Sequence, residues 1–278
     1  MKASLKGNIY VLISAILFAL GGLLIKSIPW SSITIQGARS IFSFLVIGSY
    51  MILTKHKFVF NKTVFFGAFC NLVMALTFVA ATKMTTAANA IVLQFTEPIF
   101  IILLMWIIYK NRPSKESIIA CVAVFAGIIC FFFDTLSAGG MVGNLLAILS
   151  GFAYALVFLN KRLPGADFES SVMLSNLGSI LLAIPFAVKE TESSVIIWIC
   201  VVLLGAFQCG LSYIFLSKGL DYVSPVTASL TSTIEPILNP LLVAIFYGEK
   251  IGITAVIGAI LVVGSSTIYN IWEARKKV

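Results

Sequence analysis

Apolar residues fill this chain in long runs, and charged residues collect in the short gaps between them. A helix that crosses a bilayer needs about 20 mostly apolar residues, because each backbone group must be satisfied within the segment. Windows of that length predict ten spans, at 7–26, 31–53, 63–82, 85–108, 115–133, 142–162, 169–189, 194–217, 223–247 and 250–272. They occupy most of the 278 residues and leave no room for a soluble domain. The predicted fold class is an all-α polytopic membrane protein with ten transmembrane helices.

Two spans break the pattern in the same way. The fourth contains Gln94-Phe95-Thr96-Glu97-Pro98 and the ninth contains Ser232-Thr233-Ile234-Glu235-Pro236. Each sets a carboxylate and a proline inside an apolar run. A charge near mid-bilayer costs several kcal/mol by most estimates, so it marks a functional candidate. The proline removes a backbone donor and bends or breaks the helix beside that charge.

These stretches belong to a longer repeat. Gly67-Ala68-Phe69 recurs as Gly205-Ala206-Phe207, Glu97-Pro98-Ile99 as Glu235-Pro236-Ile237 and Tyr109 as Tyr247, each 138 residues later. The first helices align at 136: Gly7-Asn8 with Gly143-Asn144, Ser14 with Ser150, and Lys26 with Arg162. The division expected is residues 1–137 and 138–278, with a Gly-containing seam at 134–143. Five spans per half is an odd number, so the second half lies inverted relative to the first. Inverted repeats with interrupted helices place a binding site near the midplane between the halves.

Composition sharpens this picture. Sixty per cent of the residues are apolar and 11% charged, far below the roughly 25% charged of soluble domains. The net charge of +8 reflects topology and does not call for nucleic acid. With the N-terminus inside, the inner segments hold 14 lysines and arginines and the outer loops hold 4, leaving Arg39 within a span. That bias places both termini in the cytoplasm, with the chain in the inner (plasma) membrane. Trp30, Trp106, Trp198 and Trp272 fall at predicted span ends, where an amphipathic ring prefers to sit. Five cysteines in apolar spans read as small buried hydrophobes, not a disulfide or metal framework. The first apolar run has signal-peptide features, but the second half keeps an equivalent helix, so cleavage is not expected. His56, between Lys55 and Lys57, reads as a solvated loop residue with no metal cluster to join.

At this level of detail the chain resembles drug/metabolite transporters built from two EamA-type repeats. The resemblance covers essentially the whole sequence. It rests on the five-plus-five pattern, on Pro98 and Pro236 in the fourth helix of each repeat, and on Tyr247-Gly248-Glu249 after the ninth span. The first repeat departs from that last element, reading Tyr109-Lys110-Asn111-Arg112. The resemblance implies a central cavity formed by helices 1, 3, 4, 6, 8 and 9, with helices 5 and 10 as scaffold, and export as the direction.

The candidate site residues follow from polarity and depth. Arg39 lies about 13 Å past Trp30 at ~1.5 Å per residue, too deep to snorkel fully. It attracts a substrate carboxylate, pairs permanently with Glu97 or Glu235, or packs against backbone carbonyls. Gln94 and Asn239 are spaced to share a helix face with Glu97 and Glu235 respectively. The two carboxyls can couple transport to protons, contact a substrate amine, or cap donors at the helix breaks, and the sequence does not rank them. Asn71 and Gln208 offer amides at mid-depth, for a solute or for helix–helix bonding. Phe18, Tyr154 and Tyr213 form an aromatic wall or pack as core. Asn176 occupies the place of Arg39 in the second half, so the charge is not duplicated.

The function expected is secondary active transport of a small polar metabolite, an amino acid or relative, by alternating access. A passive facilitator or uptake permease is the alternative. A membrane-embedded enzyme lacks the necessary histidine and acidic constellation. The partners expected are a small-molecule solute and the lipid bilayer, with no cofactor or metal, and a homo-oligomer left open.

Overall fold

The few polar residues between the apolar runs start helices. Ser31, Asn61, Ser114, Asp167, Ser194 and Ser224 each accept a hydrogen bond from the backbone N–H three residues on, satisfying a donor the helix itself leaves free. The computed structural model describes residues 2–85, 87–110, 112–133, 140–238 and 252–276. Every regular element among them is helical.

In chain order, α1 (Lys2–Phe18) and α2 (Gly21–Ser27) make the first span, α3 (Ser32–Leu53) the second and α4 (Lys62–Met84) the third. The fourth is α5 (Ala87–Gln94) and α6 (Glu97–Tyr109), the fifth α7 (Lys115–Phe132), the sixth α8 (Met141–Asn160) and the seventh α9 (Phe168–Ala187). The eighth joins α10 (Val195–Val202), a π-helical segment (Leu203–Leu211) and α11 (Ser212–Leu220). α12 (Pro225–Ser232) opens the ninth, which resumes as helix over 235–238, and α13 (Ile253–Lys276) is the tenth. Eight described stretches are long and apolar enough to cross a bilayer. α7 is an 18-residue apolar helix, and the rest of the ninth span lies outside the described residues. Asn239, the Tyr247-Gly248-Glu249 loop and seam positions 134–139 lie there too.

The first span is not the continuous helix expected. It is interrupted at Ala19 and Leu20, where Gly21 and Gly22, among the poorest helix formers, follow. Large apolar side chains such as Ile52, Leu53, Phe60, Ile107 and Val195 face outward. Such a surface is an aggregation liability in water and the expected one against lipid.

Contacts between helices pair across the repeats. The third span packs on the sixth (α4 on α8), and the first packs on the eighth (α1 on α11). The second packs on the seventh (α3 on α9) and the fifth on the tenth (α7 on α13). Exchanging the halves maps the first two contacts onto each other and the last two onto themselves. Individual bonds obey the same exchange. Ser14 Oγ donates to the Ser212 carbonyl at 2.9 Å, and its counterpart Ser150 Oγ donates to the Met74 carbonyl at 3.1 Å. Gly7 faces Tyr222 and Val223, while Gly143 faces Met84 and Thr85, at distances too short for any larger residue. In both pairs the packed helices run antiparallel, since residue numbers rise along one as they fall along the other.

Candidate functional site

The two interrupted helices build the centre. Phe95 and Thr96 turn out of the helix, and α6 restarts at Glu97 with Pro98 as its second residue. Proline lacks an N–H, and the first turn of a helix has no acceptor for one, so Pro98 starts α6 at no backbone cost. Thr233 and Ile234 make the equivalent turn before Glu235 and Pro236. Thr96 Oγ1 donates to the Leu93 carbonyl at 2.7 Å and Thr233 Oγ1 to the Leu230 carbonyl at 2.6 Å, capturing acceptors released at the breaks. The turn also corrects one expectation. Gln94 and Glu97 do not share a helix face, because the three-residue spacing assumed an unbroken helix.

Between the repeats lies a cavity of about 30 Å³, roughly the volume of one water. Phe18, Arg39, Gln94, Tyr154, Gln208, Tyr213 and Glu235 line it, together with Met74, Phe78 and Cys209. Seven residues from six spans, singled out for their polarity or aromaticity, thus meet at one point. Phe18 meets Tyr213 edge-on at 5.3 Å and Tyr154 edge-on at 6.5 Å, forming an aromatic wall.

Arg39 is buried, and among the described residues it forms no ion pair. Its Nε donates to Gln36 Oε1 at 2.8 Å and one terminal nitrogen to Gln208 Oε1 at 3.1 Å. Gln36 is fixed in turn, its Nε2 reaching both Ser40 Oγ and Ser179 Oγ at 3.2 Å. The guanidinium is therefore oriented by neutral amides that hold it without neutralising it. Gln36 was not among the expected site residues; its place three residues before Arg39, on the same face, was the available signal. Gln208 comes from the π-helical segment, a wide turn of the kind that recurs at functional sites.

Asn71 stands behind the cavity, its Oδ1 accepting from the Tyr213 hydroxyl at 2.8 Å. Gln94 Nε2 donates to Ser150 Oγ at 2.7 Å. Asn176 donates to Ser43 Oγ at 2.9 Å inside the α3–α9 contact, away from the cavity.

The two glutamates occupy different environments. Glu97 has no exposed surface and is absent from the cavity lining; its Oε2 accepts from the Ser229 hydroxyl at 2.6 Å, and its Oε1 is buried without a partner among the described residues. Glu235 lines the cavity, and its buried Oε2 has no partner among the described residues. The difference traces to sequence, because the position equivalent to Ser229 in the first half is Ile91, which carries no hydroxyl.

His56 lies in the expected loop and is partly exposed, but it is not without partners. Its Nε2 lies 2.7 Å from Asp167 Oδ2, and with Glu169 the three donor atoms fall within 4.8 Å of one another. Asp167 also caps α9, and Glu169 Oε1 accepts from Ser217 Oγ at 2.6 Å. Neighbouring bonds run from Val59 N to Ser170 Oγ (3.0 Å), Asn61 Nδ2 to the Gly165 carbonyl (2.8 Å) and Thr63 Oγ1 to the Pro164 carbonyl (2.8 Å). Together they clasp the two repeats. At the opposite end of α3, Trp30 Nε1 donates to the Glu192 carbonyl at 2.7 Å and Ser31 N to Glu190 Oε1 at 2.8 Å.

Comparison with known proteins agrees with this architecture. A solved crystal structure superposes with a TM-score of 0.81 over 98% of both chains at 15% identity, which speaks to fold alone. An uncharacterized transporter from Archaeoglobus fulgidus is 22% identical over 94% of this chain and 95% of its own length. Human solute carrier family 35 member G1 is 26% identical over 94% of this chain and 77% of its own. GDP-fucose transporter 1 from Dictyostelium discoideum is 25% identical over 62% of this chain and 50% of its own. The EamA-like transporter family matches residues 5–133 and again 141–271. The chain is a polytopic membrane transporter and belongs to the EamA-like transporter family.

Proposed function

We propose that this transporter carries a small zwitterionic metabolite, an amino acid or close relative, outward by alternating access. One observation carries the reading: among the described residues, a guanidinium with no ion-pair partner, Arg39, and a carboxylate with one unpartnered oxygen, Glu235, line a single small cavity beside an aromatic wall. Arg39 takes the solute carboxylate, Glu235 takes its ammonium, and Phe18, Tyr154 and Tyr213 cover the carbon skeleton. A zwitterion suits this set better than a nucleoside diphosphate sugar such as the cargo named for the Dictyostelium relative. Among the described residues Arg39 is the one cation lining the cavity, and Glu235 would repel a diphosphate.

A volume of about 30 Å³ is smaller than any amino acid, so loading requires the helices around the cavity to part. That favours a carrier over an open channel. The breaks before Glu97 and Glu235 supply the hinges, and exchange of conformations between the repeats moves access from one side to the other. In this reading Glu235 binds proton or solute ammonium in alternation, which couples transport to the proton gradient. Both termini are cytoplasmic, and the bilayer is the inner membrane.

Counterflow in proteoliposomes tests the function. Vesicles preloaded with unlabelled amino acids should accumulate the matching labelled one, and an imposed pH difference should drive net movement. No counterflow with any amino acid would overturn the substrate class. Uptake without trans-stimulation would overturn alternating access. A fluorescent protein fused to the C-terminus should light up in cells, whereas a fused alkaline phosphatase should stay inactive; the reverse result would invert the topology.

A further inference from the structure

A second cavity, of about 240 Å³, opens between α1, α12 and α13, apart from the central site. Its polar lining includes Asn8, Thr231, Ser266 and Asn270, and its rim carries Leu5, Ile9, Leu12 and Val263, all exposed. Two amide oxygens here, Asn8 Oδ1 and Asn270 Oδ1, are buried without a hydrogen-bond partner among the described residues. The orientation of Asn270 is fixed by its neighbour. Thr231 gives its proton to the Thr227 carbonyl at 2.8 Å, so its oxygen accepts from Asn270 Nδ2 at 2.9 Å and leaves Oδ1 unpaired. Buried acceptors without donors are rare enough that each calls for an explanation.

The other repeat serves as an internal control. Asn8 recurs as Asn144, whose Oδ1 accepts from Thr85 Oγ1 at 2.9 Å and Asn89 Nδ2 at 3.3 Å. The positions equivalent to those donors are Val223 and Thr227. Val223 packs against α1 at this level, 2.8 Å from where a Cβ on Gly7 would stand, but offers no proton. Thr227 Oγ1 is engaged with Ser224 Oγ at 2.8 Å. The fold therefore does not require the unpaired oxygen. The second repeat lacks the free donors that the first repeat offers to Asn144.

The surroundings select the missing donor. Asn8 lies two residues from Lys6, and Asn270 five residues from Arg275, which places the groove near the membrane surface that holds the termini. Apolar side chains form the rim and polar ones the floor. An occupant should carry N–H donors at one end, hydrocarbon at the other, and an anionic group for the nearby cations. We propose that this groove binds a phosphatidylethanolamine, its ammonium donating to the Asn8 and Asn270 amides and its acyl chains lying along Leu5, Ile9, Leu12 and Val263. An ammonium has three protons to give; the trimethylated head group of phosphatidylcholine has none.

Thermal unfolding of the detergent-purified protein tests the assignment independently of what is transported. Added phosphatidylethanolamine should raise Tm by several degrees, and phosphatidylcholine with the same acyl chains should not. Asn8→Leu with Asn270→Leu should abolish the difference between the two lipids. Val223→Thr, nearly the same in shape, restores the donor used in the other repeat. It should raise the lipid-free Tm and shrink the response to phosphatidylethanolamine. Equal shifts from the two lipids, or a full response in the double variant, would overturn the proposal. So would an equal shift from phosphatidylglycerol that the double variant retains, since charge alone would then account for it. A matching shift from sodium over choline chloride without lipid would give the groove to a small cation and overturn it as well.

Discussion

Replacing Glu97 and Glu235 one at a time by glutamine separates two residues that the repeat makes equivalent. Glu235 lines the central cavity with an oxygen that has no partner among the described residues. A ligand ammonium there would form a hydrogen bond to a charged group, worth about 1.5–3 kcal/mol net. Glu235→Gln should therefore raise Kd roughly 10- to 150-fold. Glu97 is sealed from the cavity, and glutamine keeps an acceptor for the Ser229 hydroxyl that Glu97 now binds at 2.6 Å. Glu97→Gln should change Kd by less than about threefold, well within 1 kcal/mol. The measurement is calorimetric titration with whichever amino acid gives the largest thermal shift. The N-acetylated form of the same compound, lacking the ammonium, is titrated alongside. Wild type should discriminate between the two by the same 10- to 150-fold, and Glu235→Gln should discriminate little. Equal losses at both positions, or a larger loss at Glu97, would refute the argument from cavity geometry.

Two further outcomes follow from other contacts. Tyr213→Phe removes the proton held by Asn71 Oδ1 at 2.8 Å, and interhelical bonds in membranes average about 0.6 kcal/mol, with a maximum near 1.7. Denaturant unfolding in micelles should show a loss in that range with ligand affinity nearly unchanged; lost affinity at unchanged stability would place the hydroxyl on the solute instead. Glu190, beyond the end of α9, tests pH dependence. Partial burial alone would raise its pKa from the ordinary 4.5, but hydrogen bonds from Ser31 and Thr34 and the charge of Lys83 outweigh it and leave the value lowered. A carboxyl with a depressed folded pKa stabilises above its unfolded value and loses that contribution as pH falls through the folded one. The Tm gap between wild type and Glu190→Gln should be full above about pH 5 and close below 4.5; because the group is mostly exposed, salt should narrow it. A gap that widens in acid would refute the assignment.

The spans and the repeat were legible because apolar runs of bilayer length admit few readings. Arg39, Gln94 and Glu235 stood out because a polar residue inside such a run has no local explanation. What the sequence hid was distance between remote residues. Ser229 lies 132 positions from the glutamate it seals, and Asp167 lies 111 from His56. No periodicity within a helix reports such pairs. The ranking of Glu97 against Glu235 depends on one of them, and the correction to His56 on the other. The break before Glu97 was visible in Pro98, but its position between Gln94 and Glu97 was not, so the shared-face argument failed there. Asn239 lies outside the described residues, and its partnership with Glu235 stays an expectation from spacing.

The clasps at the two ends of α3 set which parts of such a carrier can move. α3 is 22 residues long, about 33 Å at ~1.5 Å per residue, and it is tied to the opposite repeat near both tips. A beam fixed at both ends does not tilt. On the alternating-access reading Arg39, about a third of the way along it, belongs to the stator of the machine, while Glu235, beside a broken helix, belongs to the rotor. In the proposed cycle the solute keeps its acidic end anchored throughout, and it is its basic end that is handed from one side of the membrane to the other.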